Sequence, residues 1–341
     1  MNTTLIDKLS VSHALAYEEW VTLISSYDEN DRVYAAEKAR SAATDIFGDL
    51  VYLRGIVEFS NICRNDCYYC GIRRSNQSVT RYTLSDEEIL SCCDAAYSAG
   101  IATFVLQSGE GAVSAPHLSQ LIRRIKGKYP DAAVTVSVGE LTFDGYRMLR
   151  DAGADRYLLR HETADAAHYG RLHPDEMSLS HRMECLYQLR TLGYQTGAGM
   201  MVGSPYQTAE HLARDMMFLC EFAPDMIGIG PFIPHKDTPF KDEKQGSAKL
   251  TLFLISLIRL MLPRVLLPAT TALGTVLPDG REQGILSGAN VIMPNISPVR
   301  VRDKYTLYNN KICINEETAI CVKCLERRLN KIGYNIAYFT R

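Results

Sequence analysis

Residues 51–76 read VYLRGIVEFSNICRNDCYYCGIRRSN. The first ten are β-branched and apolar, the composition of a strand. Behind them come Cys63, Cys67 and Cys70, at i, i+4 and i+7. That spacing also lines one face of a helix, where three small thiols could simply pack. The neighbours argue against packing. Asn61, Arg64, Asn65, Asp66, Arg73 and Arg74 make the segment polar and charged, and Gly71 interrupts it. A polar, cysteine-bearing loop leaving a strand end reads as a ligand loop. A structural zinc site wants four closed ligands, and no histidine lies between Cys63 and Cys70 or close to either. Three thiolates suit a four-iron, four-sulfur cluster with one iron left open.

The rest of the chain bounds the reading. Its 341 residues could form two average domains or one large α/β barrel, with ample length for a sizeable core. A net charge of −2 and the lack of any long basic run argue against a general nucleic-acid binder. The first twenty residues have no apolar core of signal-peptide type. Residues 250–268, LTLFLISLIRLMLPRVLLP, are the most apolar stretch, but Arg259, Pro263 and Arg264 break it. It reads as a buried helix running into a strand rather than a membrane span. Ten cysteines without a secretion signal indicate a reducing, cytoplasmic setting and metal ligation rather than disulfides.

Residues 1–50 read as helical, clearest over DRVYAAEKARSAATDIFGD. Eight short β-rich runs follow: YLRGIVEF, ATFVLQ, AVTVSV, RYLLR, TGAGMMV, MIGIGP, VLLPAT and NVIMP. Helical stretches separate them, such as SDEEILSCCDAAYSAG, which opens on a Ser/Asp cap signal and closes at Gly100. Eight strands alternating with helices predict an α/β fold, a (βα)8 TIM-type parallel barrel. An open doubly wound sheet is the alternative. The expected division is a helical N-terminal extension over 1–50, the barrel over 51–294 and a C-terminal extension over 295–341.

In such barrels the chemistry sits on loops after the strands. The cysteine loop follows strand one. After strand two comes the turn Ser108-Gly109-Glu110, either a strand ending or a ligand loop with one carboxylate. Strand four runs into YLLRHETAD, where alternation puts Arg160 and Glu162 on one side of an extended segment and His161 on the other. The pair could grip a zwitterionic ligand or only each other at the rim; His161 reads as structural. Glycines in GAGMMVGSP would let a ligand approach the backbone. Cys92, Cys93, Cys185 and Cys220 lie within helical stretches and read as packing.

The pattern C-x3-C-x2-C, with Tyr69 before its last cysteine, resembles the signature of the radical S-adenosylmethionine superfamily. That resemblance implies a [4Fe-4S] cluster on Cys63, Cys67 and Cys70, whose open iron is chelated by S-adenosylmethionine. An electron from the cluster then releases a 5′-deoxyadenosyl radical. It also implies cofactor contacts from Tyr69, Ser108, Gly109, Glu110, Arg160, Glu162 and Arg182. Together GIVEFSNICRNDCYYCGIRRSN, LQSGEG, RYLLRHETAD, GIGPFIPHKDTP and LPATTALGT are similar to the HydE family of [FeFe]-hydrogenase maturases, over about residues 50–310. Biotin synthase and methylornithine synthase are relatives.

The family resemblance implies an iron–carbonyl–cyanide complex carrying cysteine as substrate. Its partners would be the HydG and HydF maturases and a reductant such as ferredoxin or flavodoxin; no nucleic acid or membrane enters. Such a substrate is anionic and soft, so a cation, hydroxyls and thioethers should line the barrel. Gln107, Thr135, Arg156, Met226, Thr270, Thr271 and Met293 are the expected lining, with Tyr305 just beyond the barrel. Cys313, Cys321 and Cys324 form C-x7-C-x2-C past the last strand. They could be a partial zinc site, a redox pair with a bystander, or the auxiliary iron–sulfur cluster that some maturases of the family carry. Two other functions stay open: a related radical enzyme acting on a small amino acid, and an iron–sulfur carrier without turnover.

Overall fold

The computed structural model describes residues 2–315 and 317–340. Its strands are β1 Leu50–Leu53, β2 Gly55–Ser60, β3 Thr103–Ser108, β4 Ala133–Ser137, β5 Arg156–Leu158, β6 Gln195–Ala198, β7 Met201–Val202, β8 Met226–Ile227, β9 Gly230–Pro231, β10 Val291–Ile292 and β11 Asn335–Ala337. Six of them pair in parallel, in the order β2-β3-β4-β5-β6-β8. Helices cover the outside between them, each crossing back to start the next strand, as parallel pairing requires. The one over Asp86–Ser98 begins where expected: Ser85 Oγ accepts the Glu88 N–H and the Glu88 carboxylate accepts the Ser85 N–H at 2.9 Å.

The sheet closes into a barrel. Leu266 bridges to Met226 of β8, Pro268 bridges to Val291 of β10, and β10 pairs with β1. Ile56 of β2 bridges to Asn295, completing the ring. The seventh run, VLLPAT, thus holds a strand's place through two isolated bridges rather than a ladder. Pro268 has no N–H to give one, and the Ala269 N–H supplies the next bond, to the Val291 carbonyl at 2.9 Å.

Runs five and six each split in two, into β6 and β7 and into β8 and β9. The break falls where Gly199 (φ 157°) meets Gly228: a Cβ on Gly199 would collide with the Gly228 carbonyl. The glycines of run five, expected to admit a ligand, here admit a neighbouring backbone. A short helix over Ala166–Leu172 stands between β5 and the helix Leu179–Thr191, and sequence reading did not separate it.

Helices Thr3–Ser12, Tyr17–Ser26 and Glu29–Phe47 precede the barrel; the second packs on Ala209–Phe222 and the third on Ala248–Met261. The latter is the buried helix expected from the apolar stretch, with the Arg259 side chain inside. Arg259 donates to Gly288 O (2.8 Å), Pro263 O (2.7 Å) and Asn290 Oδ1 (3.1 Å). Among the described residues no helix is long and apolar enough to cross a membrane. The C-terminal segment contributes an unexpected strand, β11, parallel to β1.

Candidate active site

The cysteines sit where barrel geometry predicts, on the loop after β2. Residues 61–76 carry no helix or strand, so the packed-helix alternative does not hold. The loop's polar residues shape it. Asp66 Oδ1 takes Arg73 Nε at 2.7 Å, the Ser75 N–H at 3.1 Å and Ser75 Oγ at 2.7 Å. The Arg74 N–H returns to the Asn65 carbonyl at 2.8 Å. Gly109 gives the loop its seat, since a Cβ there would strike Ile62 O and the Cys63 side chain. Gly71 does the same on the other side, against Thr306 O and the His235 ring.

One residue outside the motif holds the loop shut. Half-buried Arg81 donates through Nη1 to the carbonyls of Asn61 (2.6 Å) and Ile72 (2.8 Å). Through Nη2 it reaches those of Arg73 (2.6 Å) and Asn76 (3.2 Å). These four acceptors flank the three cysteines on both sides.

The donor set suits the group the loop would hold. Burial pushes the Cys70 thiol up to about 12, with Cys63 next among the causes. Burial also raises Cys67, followed by the charges of Cys70 and Cys63. Three thiols that act on one another, with no carboxylate or imidazole among them, form a soft donor set that needs metal charge to ionise. Among the described residues no three His, Cys, Asp or Glu side chains gather as for a single metal ion. Three soft thiolates suit a polynuclear cluster with one open iron better than structural zinc, which takes four closed ligands.

Beside the loop, an alternating chain of charges crosses three strand ends. Arg64 Nη2 pairs with Glu110 Oε1 at 2.8 Å. Glu110 Oε2 takes the Glu140 N–H at 2.9 Å. Glu140 Oε1 takes Arg182 Nε at 2.5 Å, and Arg182 Nη1 donates to the Arg160 carbonyl at 3.0 Å. Arg160 Nη2 pairs with Glu162 Oε2 at 2.8 Å. So Glu110, Arg160, Glu162 and Arg182 are brought together. Ser108 spends its hydroxyl proton on the Gly109 carbonyl at 2.8 Å, which leaves its oxygen as an acceptor only.

The route by which Arg160 and Glu162 meet differs from the alternation argument. β5 ends at Leu158, and Glu162 stands in the left-handed region at φ 67°. For a residue with a Cβ that conformation is sparsely populated and must be imposed by its surroundings. Here the Glu162 N–H is tied to Gly199 O at 3.0 Å, and the Ala164 N–H to Asp215 Oδ1 at 2.5 Å. His161 is fully buried against Asp215, consistent with a structural role. Arg160 Nε is buried with no hydrogen-bond partner among the described residues.

Tyr69 lies behind Cys70, its hydroxyl 3.1 Å from His173 Nε2. His173 Nδ1 is 3.0 Å from the Tyr169 carbonyl, and burial holds this imidazole down at about 3, so it is neutral.

The expected substrate residues divide into two groups. Gln107 and Tyr305 meet inside the barrel (Nε2 to hydroxyl, 3.4 Å), near Glu58. Glu58 is itself clasped by Lys311 Nζ (2.5 Å) and Asn295 Nδ2 (2.7 Å). Thr135, Arg156 and Met226 stand lower, around a small enclosed space shared with Arg54. Arg54 Nη1 lies 2.6 Å from Met226 Sδ, and burial, then the Arg156 charge, lowers its pKa to about 9. Thr135 Oγ1 is buried without a hydrogen-bond partner among the described residues. Thr270 is occupied as the cap of the helix Thr271–Val276, which Thr271 begins. Met293 is half-buried after β10. A groove of about 720 Å³ lies at the opposite end of the barrel beside His13 and Arg264, away from the cysteines.

At the C-terminus Cys321 and Cys324 lie on the helix Thr318–Asn330, Cys321 buried and Cys324 half-buried. Cys313 has φ 63° and accepts from Arg281 Nη2 at 3.3 Å. Both Cys313 and Cys324 act on the Arg328 guanidinium, so they share a neighbourhood.

Sequence reading missed Arg81, Glu140, Arg54 and the Glu58–Lys311 pair. Only Glu140 left a signal: Gly139-Glu140 after β4 repeats the Gly109-Glu110 pattern after β3.

Residues 57–219 match the family model described as the radical SAM superfamily. The chain is 47% identical over 287 residues to the [FeFe] hydrogenase maturase subunit HydE of Thermotoga maritima, covering 84% of this chain and 82% of that one. It is 26% identical over 334 residues to 3-methylornithine synthase of Methanosarcina barkeri, covering 97% and 93%. The crystal structure of methylornithine synthase (PylB) superposes with a TM-score of 0.86 at 25% identity, covering 98% of each chain.

Proposed function

The chain belongs to the radical SAM superfamily and, within it, to the HydE family, and from that premise we propose that it acts in assembly of the [FeFe]-hydrogenase di-iron site. It is a radical SAM enzyme, and its family implies a [4Fe-4S] cluster and S-adenosylmethionine. When bound, the cluster supplies the electron that splits S-adenosylmethionine into methionine and a 5′-deoxyadenosyl radical. Everything else falls to the chain's own groups.

In this reading Cys63, Cys67 and Cys70 hold the cluster and Arg81 keeps their loop closed. Arg160, Glu162 and Arg182 hold the ends of S-adenosylmethionine, with Glu110 and Glu140 fixing the guanidinium of Arg182. Tyr69, packed against His173, borders the same site. The barrel of residues 51–294 encloses the reaction, helical residues 1–50 buttress it, and residues 295–341 close its mouth through Tyr305 and Lys311.

The substrate is an anionic iron–carbonyl–cyanide complex carrying cysteine. One observation carries this assignment: Arg54 is buried inside the barrel with a thioether at its Nη1 and, among the described residues, no ion pair. A cation held there costs desolvation energy that an anionic, soft substrate would offset. Arg156 and Thr135 add a second guanidinium and a buried hydroxyl to the same space, with Gln107 and Met293 above. Cys313, Cys321 and Cys324 hold an auxiliary iron–sulfur centre, HydG and HydF act before and after, and a ferredoxin or flavodoxin reduces the cluster in the cytoplasm.

A related enzyme working on a small amino acid is the second reading, favoured by the close superposition on methylornithine synthase. Anaerobically reconstituted protein, given S-adenosylmethionine, reductant and the iron–cysteine complex, should consume the complex in step with 5′-deoxyadenosine release. Turnover confined to a metal-free amino acid would favour the second reading.

A further inference from the structure

Among the described residues, two buried donors near the cysteine loop have no hydrogen-bond partner, Arg160 Nε and the Tyr169 hydroxyl. Burying a donor unpaired is costly, so such groups are rare and call for an explanation. Arg160 already belongs to the site proposed above. Tyr169 does not, and its sequence context, a short helix after β5, gave no reason to include it.

Its surroundings are those of a ligand wall. The ring is 1% exposed and stacked on His173, centroids 3.9 Å apart. Behind that stack the polar groups are spoken for. His173 Nδ1–H donates to the Tyr169 carbonyl, which leaves Nε2 to accept from the Tyr69 hydroxyl. Tyr69, within the cysteine loop, therefore spends its proton inside the protein, whereas Tyr169 has no partner among the described residues. After burial, the groups that act on the Tyr169 hydroxyl are Arg182, Glu140, Cys67 and Glu162. A free hydroxyl thus stands between a cluster cysteine and the carboxylate–guanidinium chain.

We propose that the Tyr169 hydroxyl donates a hydrogen bond to an acceptor oxygen, carboxylate or ribose, of S-adenosylmethionine bound at the cluster. The inference rests on the cofactor site assigned above and adds a binding residue to it. Tyr169 is neutral, so it contributes direction rather than charge beside Arg160 and Arg182. In the cofactor-free protein its hydroxyl is a destabilising element that binding relieves.

That asymmetry makes Tyr169→Phe diagnostic. The substitution keeps the ring and its stack on His173 and removes only the orphan hydroxyl. Reconstituted wild-type and variant proteins, matched for iron content, are titrated with S-adenosylmethionine by calorimetry, and their melting temperatures are measured without it. The expected result is an affinity about tenfold weaker with a melting temperature unchanged or higher. Equal affinity would overturn the inference, and so would a lower melting temperature of the cofactor-free variant, because the hydroxyl would then already have a protein partner. If wild-type protein failed to bind S-adenosylmethionine at all, the cofactor reading itself would fall; equal binding by both proteins sinks only the role of Tyr169.

Discussion

Replacing Arg81 with methionine would keep most of the side chain's length while removing every guanidinium donor. Four carbonyls, those of Asn61, Ile72, Arg73 and Asn76, would then lose bonds of 2.6–3.2 Å. A hydrogen bond to a charged group is worth about 1.5–3 kcal/mol when buried. Arg81 is half-buried, so water replaces part of that, and bonds that share one guanidinium do not add. The net loss should be roughly 2–4 kcal/mol. It falls on a loop without regular structure, so it should appear as weakened cluster retention rather than as collapse of the barrel. Two to four kcal/mol corresponds to roughly 30- to 700-fold in affinity. The assay is the rate of iron release to a chelator from reconstituted protein, with circular dichroism as control for the fold. Arg81→Lys, which keeps the charge but not the fork of donors, should recover only part of the loss. Iron release from Arg81→Met at the wild-type rate, with the fold intact, would refute the stapling argument.

Removing Cys313, Cys321 and Cys324 together should lower iron content while sparing 5′-deoxyadenosine production, since these residues lie past the last barrel strand. Loss of both with the fold preserved would show that the second cysteine group is needed for cleavage. Lys311→Met leaves the Glu58 carboxylate buried without its cation, and breaking such a pair costs about 3–5 kcal/mol. Thermal unfolding should shift down clearly, and the double variant Glu58→Gln/Lys311→Met should regain most of the loss. A single variant as stable as the wild type would mean that Glu58 is adequately held by Asn295 alone.

Much of this was legible in the sequence, because the cysteine loop and the strand that launches it are local features. A β-branched run ending in polar cysteines places the site at a barrel rim without help from the rest of the chain. Closure was harder to read at the seventh strand, where Pro268 allows single bridges and no ladder. Splitting of the fifth and sixth runs was hidden as well, because it depends on Gly199 meeting Gly228, a contact between distant segments. Arg160 and Glu162 do lie side by side, paired with each other, but not for the local reason that alternation supplies. Alternation assumes extended backbone, whereas Glu162 is held at positive φ by Gly199 and its neighbours. Arg81 and Lys311 left no pattern at all, since an isolated basic residue says nothing of the carbonyls or carboxylate it will meet after folding.

The most direct test of the central claim is reductive cleavage of S-adenosylmethionine by anaerobically reconstituted protein. Dithionite-reduced wild-type protein should release 5′-deoxyadenosine and methionine, and Cys67→Ala should release neither. Undiminished 5′-deoxyadenosine from Cys67→Ala would contradict the assignment of Cys63, Cys67 and Cys70 as the cluster ligands that this chemistry requires.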